Sequence, residues 1–149
     1  MPGAAAVLLL TLAACAPSPV EPPTSASPAP TVTPTDSAPT LQPDGSAADN
    51  LPVFTAVAEA VWSTDQRGAG RAYIDALVAA GFDRAAMQVT QDTSTVGNPA
   101  ESLQFSVRWG EKECLIGQVG PSTGQVVTAV MPQLAEGRCL IGTTRSIDW

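Results

Sequence analysis

Hydrophobic and polar residues follow four successive patterns along the 149-residue chain. Residues 4–14 are almost wholly apolar, whereas residues 16–50 hold three large apolar side chains among recurrent prolines. Beyond residue 50, apolar residues recur first with a period near 3.6 and later with a period of two. These periods predict amphipathic helices followed by half-buried strands. We therefore expect a leader at residues 1–14, a tether at residues 15–50 and a globular domain at residues 51–149.

Two helices are predicted in the first half of the domain. The first begins with Asn50 as its N-cap and Pro52 in its first turn, where a missing N–H costs nothing. Its apolar stripe comprises Val53, Phe54, Val57, Ala58, Val61 and Trp62. The second extends from about Ala69 to Ala80, with Tyr73, Ile74, Leu77 and Val78 on its apolar face. Gly81 predicts a left-handed C-terminal cap that lets Phe82 fold back onto the helix.

The second half of the domain predicts an antiparallel meander. Leu103, Phe105, Val107 and Trp109 alternate with polar residues, which indicates a half-buried strand. Further strands are expected at residues 87–91, 113–119, 126–131 and 139–143. Helices that precede such a meander predict an α+β fold of two layers, with two N-terminal helices packed on a small antiparallel sheet.

The leader predicts export. Its apolar run is too short to cross a bilayer, which needs about 20 residues, and it fits the hydrophobic region of a secretory signal. Leu12-Ala13-Ala14-Cys15 resembles a bacterial lipobox, which implies cleavage before Cys15 and a diacylglyceryl group on its thiol. Two acyl chains hold a protein stably on a membrane. No Lys or Arg precedes Cys15, unlike most signals, and the alternative is an ordinary secretory signal in which Cys15 is incidental.

The tether cannot bury enough apolar surface to offset its ordering entropy, so we expect it to be disordered. Its prolines favour an extended spacer that lifts the domain off the membrane. The alternatives are a PxxP ligand for another protein and a Thr-rich glycosylation substrate.

Cys-Leu-Ile-Gly occurs twice, beginning at Cys114 and at Cys139. Two cysteines in an exported domain predict a disulfide, which contributes roughly 3–4 kcal/mol to stability. The chain has no histidine to complete a usual zinc site or to activate a thiolate. The glycine after each Leu-Ile is expected to permit close backbone approach or a bulge.

Composition narrows the possible functions. The net charge is −7 and no basic cluster occurs, so nucleic acid and anionic headgroups are poor partners. Without histidine there is no Ser-His-Asp triad, and no phosphate loop is present. We predict a non-enzymatic domain without cofactor or metal. A carboxylate pair remains the catalytic alternative, with Asp92, Glu101, Glu111, Glu113, Glu136 and Asp148 as candidates.

Trp109 and the terminal Trp149 are the candidates for a binding surface, although a terminal tryptophan more often packs back and pins the chain end. The leader and tether resemble actinobacterial surface lipoproteins. The domain from about Leu51 is similar to a small family of uncharacterised proteins, through the Cys-Leu-Ile-Gly pair and the terminal Ile-Asp-Trp. That resemblance implies no known activity.

We therefore expect an envelope lipoprotein, anchored on the outer face of the membrane, that displays a binding or accessory domain for an envelope protein or wall component. A small envelope hydrolase and a protein inhibitor are the alternatives. An exposed apolar surface would favour binding, and a concave pocket with two carboxylates would favour hydrolysis.

Overall fold

A computed structural model describes residues 37–149. The leader, Cys15 and most of the tether lie outside the described residues. Two helices precede five strands: α1 (Ala47–Trp62), α2 (Gly70–Ala79), β1 (Met87–Thr90), β2 (Leu103–Trp109), β3 (Glu113–Val119), β4 (Val127–Pro132) and β5 (Thr144–Arg145). The predicted α+β class is confirmed. Neither helix of this described part combines the length and hydrophobicity that crossing a bilayer requires.

The first helix begins earlier than the sequence pattern indicated. Ser46, not Asn50, is its N-cap, and Ser46 and Asp49 form a reciprocal capping box. Hydrogen bonds from the side chain and backbone of Ser46 lower the pKa of Asp49. Asn50 lies fully buried inside the helix, and Pro52 therefore falls beyond the first turn. The prediction of Asn50 as N-cap is wrong because Ser46-x-x-Asp49 satisfies the free N–H groups one turn earlier.

The predicted boundary of the tether at residue 50 is corrected by the same segment. Leu41 packs against the core beside Gly81, just beyond the C-terminus of α2. The side chain of Asn50 accepts from the N–H of Gln42 at 2.7 Å and donates to its carbonyl oxygen at 2.8 Å. Leu41, the amide of Asn50 and a hydrogen bond from Trp109 to Gly45 join residues 41–50 to the domain.

The five strands form one antiparallel sheet in the order β4-β3-β2-β1-β5. β2 and β3 have the predicted bounds, and their register pairs Phe105 with Gly117. The expected last strand at 139–143 is wrong, because the strand that forms is β5 and it pairs with β1 at the opposite edge from β4. Residues 138–143, named the strap here, form the last part of the connection from β4 to β5.

Both helices pack on one face of the sheet and enclose an aromatic core. The rings of Tyr73 and Phe105 stack with their centroids 4.5 Å apart, and Phe54 lies 5.6 Å from Phe105. A Cβ atom on Gly117 would lie 2.3 Å from the Phe105 ring, so this glycine permits the close approach that the sequence suggested. A Cβ atom on Gly142, its counterpart in the second tetrapeptide, would have no neighbour closer than 3.8 Å, so no close approach requires a glycine there.

The C-terminus of α2 has the predicted cap. Gly81 adopts φ of +99°, and the N–H of Phe82 donates to the carbonyl oxygen of Leu77 at 3.1 Å. This pattern is a Schellman motif, and it buries Phe82 to 3% exposure against Phe54 and Trp109. The cap thus directs the chain from the helix layer into β1.

Candidate functional site

The two Cys-Leu-Ile-Gly cysteines form the predicted disulfide. Cys114 in β3 and Cys139 in the strap are joined on the sheet face opposite the helices. The side-chain oxygen of Gln88 accepts from the N–H groups of Cys139 and Leu140 at 2.7 and 3.2 Å. Leu140 is 2% exposed. The bridge therefore has a structural role, because it holds the strap across the sheet on its way to β5.

Trp149 lies in a charged corner built by α2 and β5. Its indole N–H donates to Asp75 at 3.0 Å, and the guanidinium carbons of Arg71 and Arg145 lie 5.4 and 5.3 Å from its ring centroid. Arg84 donates to its carbonyl oxygen. This set of contacts, named the Trp149 corner here, pins the C-terminal residue to the second helix.

Trp109 is held by different elements from Trp149. Its ring meets Phe82 edge to face, and its indole N–H donates to the carbonyl oxygen of Gly45 at 2.9 Å. The polar atom of each ring is thus already paired inside the domain. Trp109 also borders an open hollow of about 810 Å³, together with Glu111 in the β2–β3 turn and Glu113 at the start of β3.

The six candidate carboxylates do not converge on one enclosed pocket. Glu111 and Glu113 are exposed at the open hollow beside Trp109. Asp92 follows β1 and contacts the start of α2 and Arg145. Glu101, Glu136 and Asp148 lie in other segments. Among residues 37–149, no group of three or more Cys, Asp or Glu side chains is arranged to hold a metal ion.

A narrower cavity of about 350 Å³ opens beside Trp62, at the end of the domain where α1 gives way to α2. Its wall is almost entirely carbon. The residues that line this Trp62 cleft are Trp62, Arg67, Gly68, Asp92, Pro99, Ala100, Leu103, Val119, Gly120, Pro121 and Gly124. Sequence reasoning assigned Trp62 to the core and treated the three contributing loops only as turns. The concentration of Gly and Pro in those loops was the available signal.

The Trp62 cleft carries one arginine that the domain leaves uncommitted. The guanidinium carbon of Arg67 lies 5.7 Å from the centroid of the Trp62 ring. Arg67 is exposed and takes part in no ion pair within residues 37–149. The hydroxyl of Tyr73 donates to the backbone carbonyl oxygen of Arg67 at 2.8 Å, which ties the α1–α2 loop to the core. Burial raises the pKa of Tyr73 to about 12, partly opposed by the charge of Arg67.

Asp92 at the same cleft is fully engaged. Its Oδ1 accepts from the N–H of Gly70 at 2.8 Å and from Arg145 at 2.9 Å, and its Oδ2 accepts from Arg145 at 3.0 Å. Asp92 is remote from α2 in sequence but caps its N-terminus directly, where the helix dipole favours negative charge. The cap residue Ala69 has no side-chain oxygen to do so.

Comparison with known proteins identifies the family. Residues 58–143 match the family model described as a domain of unknown function, DUF6993. The match covers more than half of the chain, and the chain belongs to this family. It includes both Cys-Leu-Ile-Gly tetrapeptides, begins inside α1 rather than at Leu51 and ends before the terminal Ile-Asp-Trp. No curated protein and no solved structure matches the chain.

Proposed function

We propose that the chain is a lipid-anchored envelope protein whose domain binds a small apolar molecule in the Trp62 cleft. The observation that carries the binding proposal is the cleft itself. Its volume of about 350 Å³ falls in the range of about 300–1,000 Å³ typical of small-molecule sites. Such sites combine a mostly apolar wall with a few polar groups, and here the polar groups are Arg67 and Asp92.

The construction of the cleft favours a binding site over a packing defect. Core voids in native proteins are small because interiors are close-packed, whereas this cavity opens to solvent between three loops. The half-buried Trp62 indole lies within its wall, and aromatic side chains supply large contact area for ligands. Tyr73 and Asp92 each fix one of the loop segments that surround it.

Anchoring is supported by the sequence. The lipobox-like Leu12-Ala13-Ala14-Cys15 and the proline-rich segment after it resemble the surface lipoproteins of actinobacteria. A lipid on Cys15 would place the domain outside the cell membrane, with residues 16–40 as the spacer. In this position a binding domain would capture molecules from the envelope rather than from the cytoplasm.

Anchoring is tested by labelling cells that express the whole chain with an alkyne analogue of palmitate. We expect the protein to carry the label and to sediment with membranes, and Cys15→Ala to lose both properties. Ser18→Ala, which leaves the lipobox intact, is the matched control. Retention of label by Cys15→Ala would overturn the anchor.

Binding is tested with N-phenyl-1-naphthylamine, a neutral apolar dye that fluoresces on entering an apolar site. The whole chain carrying Cys15→Ala avoids interference from the lipid. We expect a saturable fluorescence increase that Gly68→Leu abolishes, since a Cβ at Gly68 has open space around it and a longer side chain would occupy the cleft. Gly142→Leu, outside the cleft and also free of positive φ, is the control. Equal dye binding by both variants would overturn the site.

A further inference from the structure

We infer that the ligand of the Trp62 cleft is an amphiphile with one anionic group, held by Arg67 at the mouth while its apolar body fills the cavity. This inference rests on the proposed function and specifies its ligand class. The anionic group is a carboxylate or a phosphate monoester, since a guanidinium binds either through paired hydrogen bonds.

Of the two charged residues that line the cleft, Asp92 has a partner of opposite charge and Arg67 has none in the described residues. Asp92 is neutralised by Arg145 through both carboxylate oxygens. Arg67 has no acidic partner within 4.0 Å in residues 37–149, unlike Arg71, Arg84 and Arg145. The described residues carry an excess of acids over bases, so an uncommitted arginine beside an apolar cavity contrasts with its surroundings.

The position of Arg67 suits the binding of an anionic group at the mouth of the cleft. Its backbone is tied down by the Tyr73 hydroxyl, and its guanidinium lies over the Trp62 ring. A guanidinium that lies over an indole face can still bind an anion through its N–H groups. The contact with Trp62 restricts the side chain before a ligand arrives, which reduces the entropy lost on binding.

The cavity wall determines the rest of the ligand. Almost no polar atom lines it, so a sugar or a peptide would lose hydrogen bonds to water without replacement. A hydrocarbon body has no such groups to satisfy and gains from burial by about 25 cal/mol per Å². The cleft thus selects an alkyl, prenyl or aryl body and excludes polysaccharide as its occupant.

The test uses matched competitors that differ only in their head group. Decanoate, decyl phosphate and decan-1-ol are titrated against bound N-phenyl-1-naphthylamine on the whole chain carrying Cys15→Ala, at pH 7.5. We expect at least one anion to displace the dye at a concentration about tenfold lower than decan-1-ol. The anion that displaces better identifies the source class of the natural ligand.

Arg67→Gln should remove the preference for anions and leave displacement by decan-1-ol unchanged. Arg108→Gln is the matched control, because Arg108 is also exposed, lies outside the cleft and forms no ion pair within the described residues. The indole N–H resonance of Trp62 should shift on adding decanoate, while those of Trp109 and Trp149 stay fixed by their internal hydrogen bonds.

The outcomes separate the two proposals. If the dye binds, Gly68→Leu blocks it and Arg67→Gln leaves the anion preference unchanged, the anionic head group is overturned and the binding site stands. If all three competitors displace the dye equally from the protein with Arg67 intact, the anionic head group is likewise overturned and the binding site stands. If no dye binds the cleft at all, the proposed function itself fails.

Discussion

Two arginine–tryptophan contacts lie near the start of α2, and they differ in whether acids pair with their arginines. In the Trp149 corner both arginines stacked on the ring also pair with acids, and the indole N–H is bound by Asp75. At the Trp62 cleft the stacked arginine has no acidic partner in the described chain. The difference shows how a stabilising contact can be distinguished from a site that is open to a ligand. In the corner every charge is matched within the fold, whereas in the cleft one charge is left over.

The largest expected effect concerns the disulfide, because the strap it holds leads into β5 and the corner. Replacing Cys114 and Cys139 together with alanine should lower the free energy of unfolding by about 3 kcal/mol. Equilibrium urea unfolding of the oxidised protein and the double variant measures the loss.

The same double variant tests whether the two sites are independent. The cleft is lined by α1, the α1–α2 loop, the ends of β2 and β3 and the turns after β1 and β3, and the strap is not part of it. Its link to the corner is the Asp92–Arg145 ion pair, and Asp92 is also held by the N–H of Gly70. Dye binding by the folded double variant should therefore be unchanged while the corner loosens. Loss of dye binding at denaturant concentrations where the variant is still folded would show that the sites are coupled.

The next effect comes from breaking the ion pair between Arg145 in β5 and Asp92, which follows β1 and caps α2. Arg145→Gln should destabilise the domain by about 1–2 kcal/mol, because it leaves the partly buried Asp92 carboxylate without its cation. Thermal unfolding measures the change. Arg108→Gln serves as the reference for losing an arginine without an ion pair. Equal stability of the two variants would contradict the structural role of the corner.

Tyr73 connects the core to the cleft loop and titrates abnormally. Its pKa of about 12 exceeds the ordinary value of 10, because burial disfavours the phenolate. The protonated Tyr73 hydroxyl therefore contributes to the free energy of unfolding, and this contribution is complete below pH 10. It is lost as the pH rises towards 12, and the free energy of unfolding falls by about 1.4 kcal/mol at pH 11.

Tyr73 is the sole tyrosine of the chain, so absorbance at 295 nm reports its titration directly. Tyr73→Phe should lack this particular loss of stability between pH 10 and 12. It should also weaken the attachment of the Arg67 carbonyl, which hydrogen exchange in residues 63–69 would detect. A midpoint near 10 in the folded protein would contradict the burial of the hydroxyl.

The fold could be predicted from the sequence wherever a local residue pattern is compatible with a single backbone structure. The alternation from Leu103 to Trp109 and the cap at Gly81 are of this kind, because each follows from local backbone geometry. The disulfide was predicted from the cysteine count and from the expected export of the domain. The start of α1 was missed although Ser46-x-x-Asp49 is a capping signal, because the prolines before it outweighed that signal.

The path of the strap and the cleft could not be predicted from local pattern. Residues 139–143 have the apolar character of a strand, but tertiary contacts with Gln88 and Cys114 place them across the sheet instead. The cleft arises where three separate loops meet, and no spacing in the sequence records that proximity. Trp62 has helical periodicity with the core residues, so its position at a cavity wall depends on what faces it.

The smallest expected effect on stability is that of Arg67→Gln, and it tests directly whether the cleft and the corner differ. Arg67→Gln should change the free energy of unfolding by no more than about 0.5 kcal/mol, because its guanidinium is exposed and pairs with no acid among the described residues. Urea unfolding of this variant beside Arg145→Gln gives the contrast. A loss as large as that of Arg145→Gln would mean that Arg67 stabilises the fold through its contact with Trp62. A neutral change together with a lost anion preference would mean that the arginine is retained for a ligand.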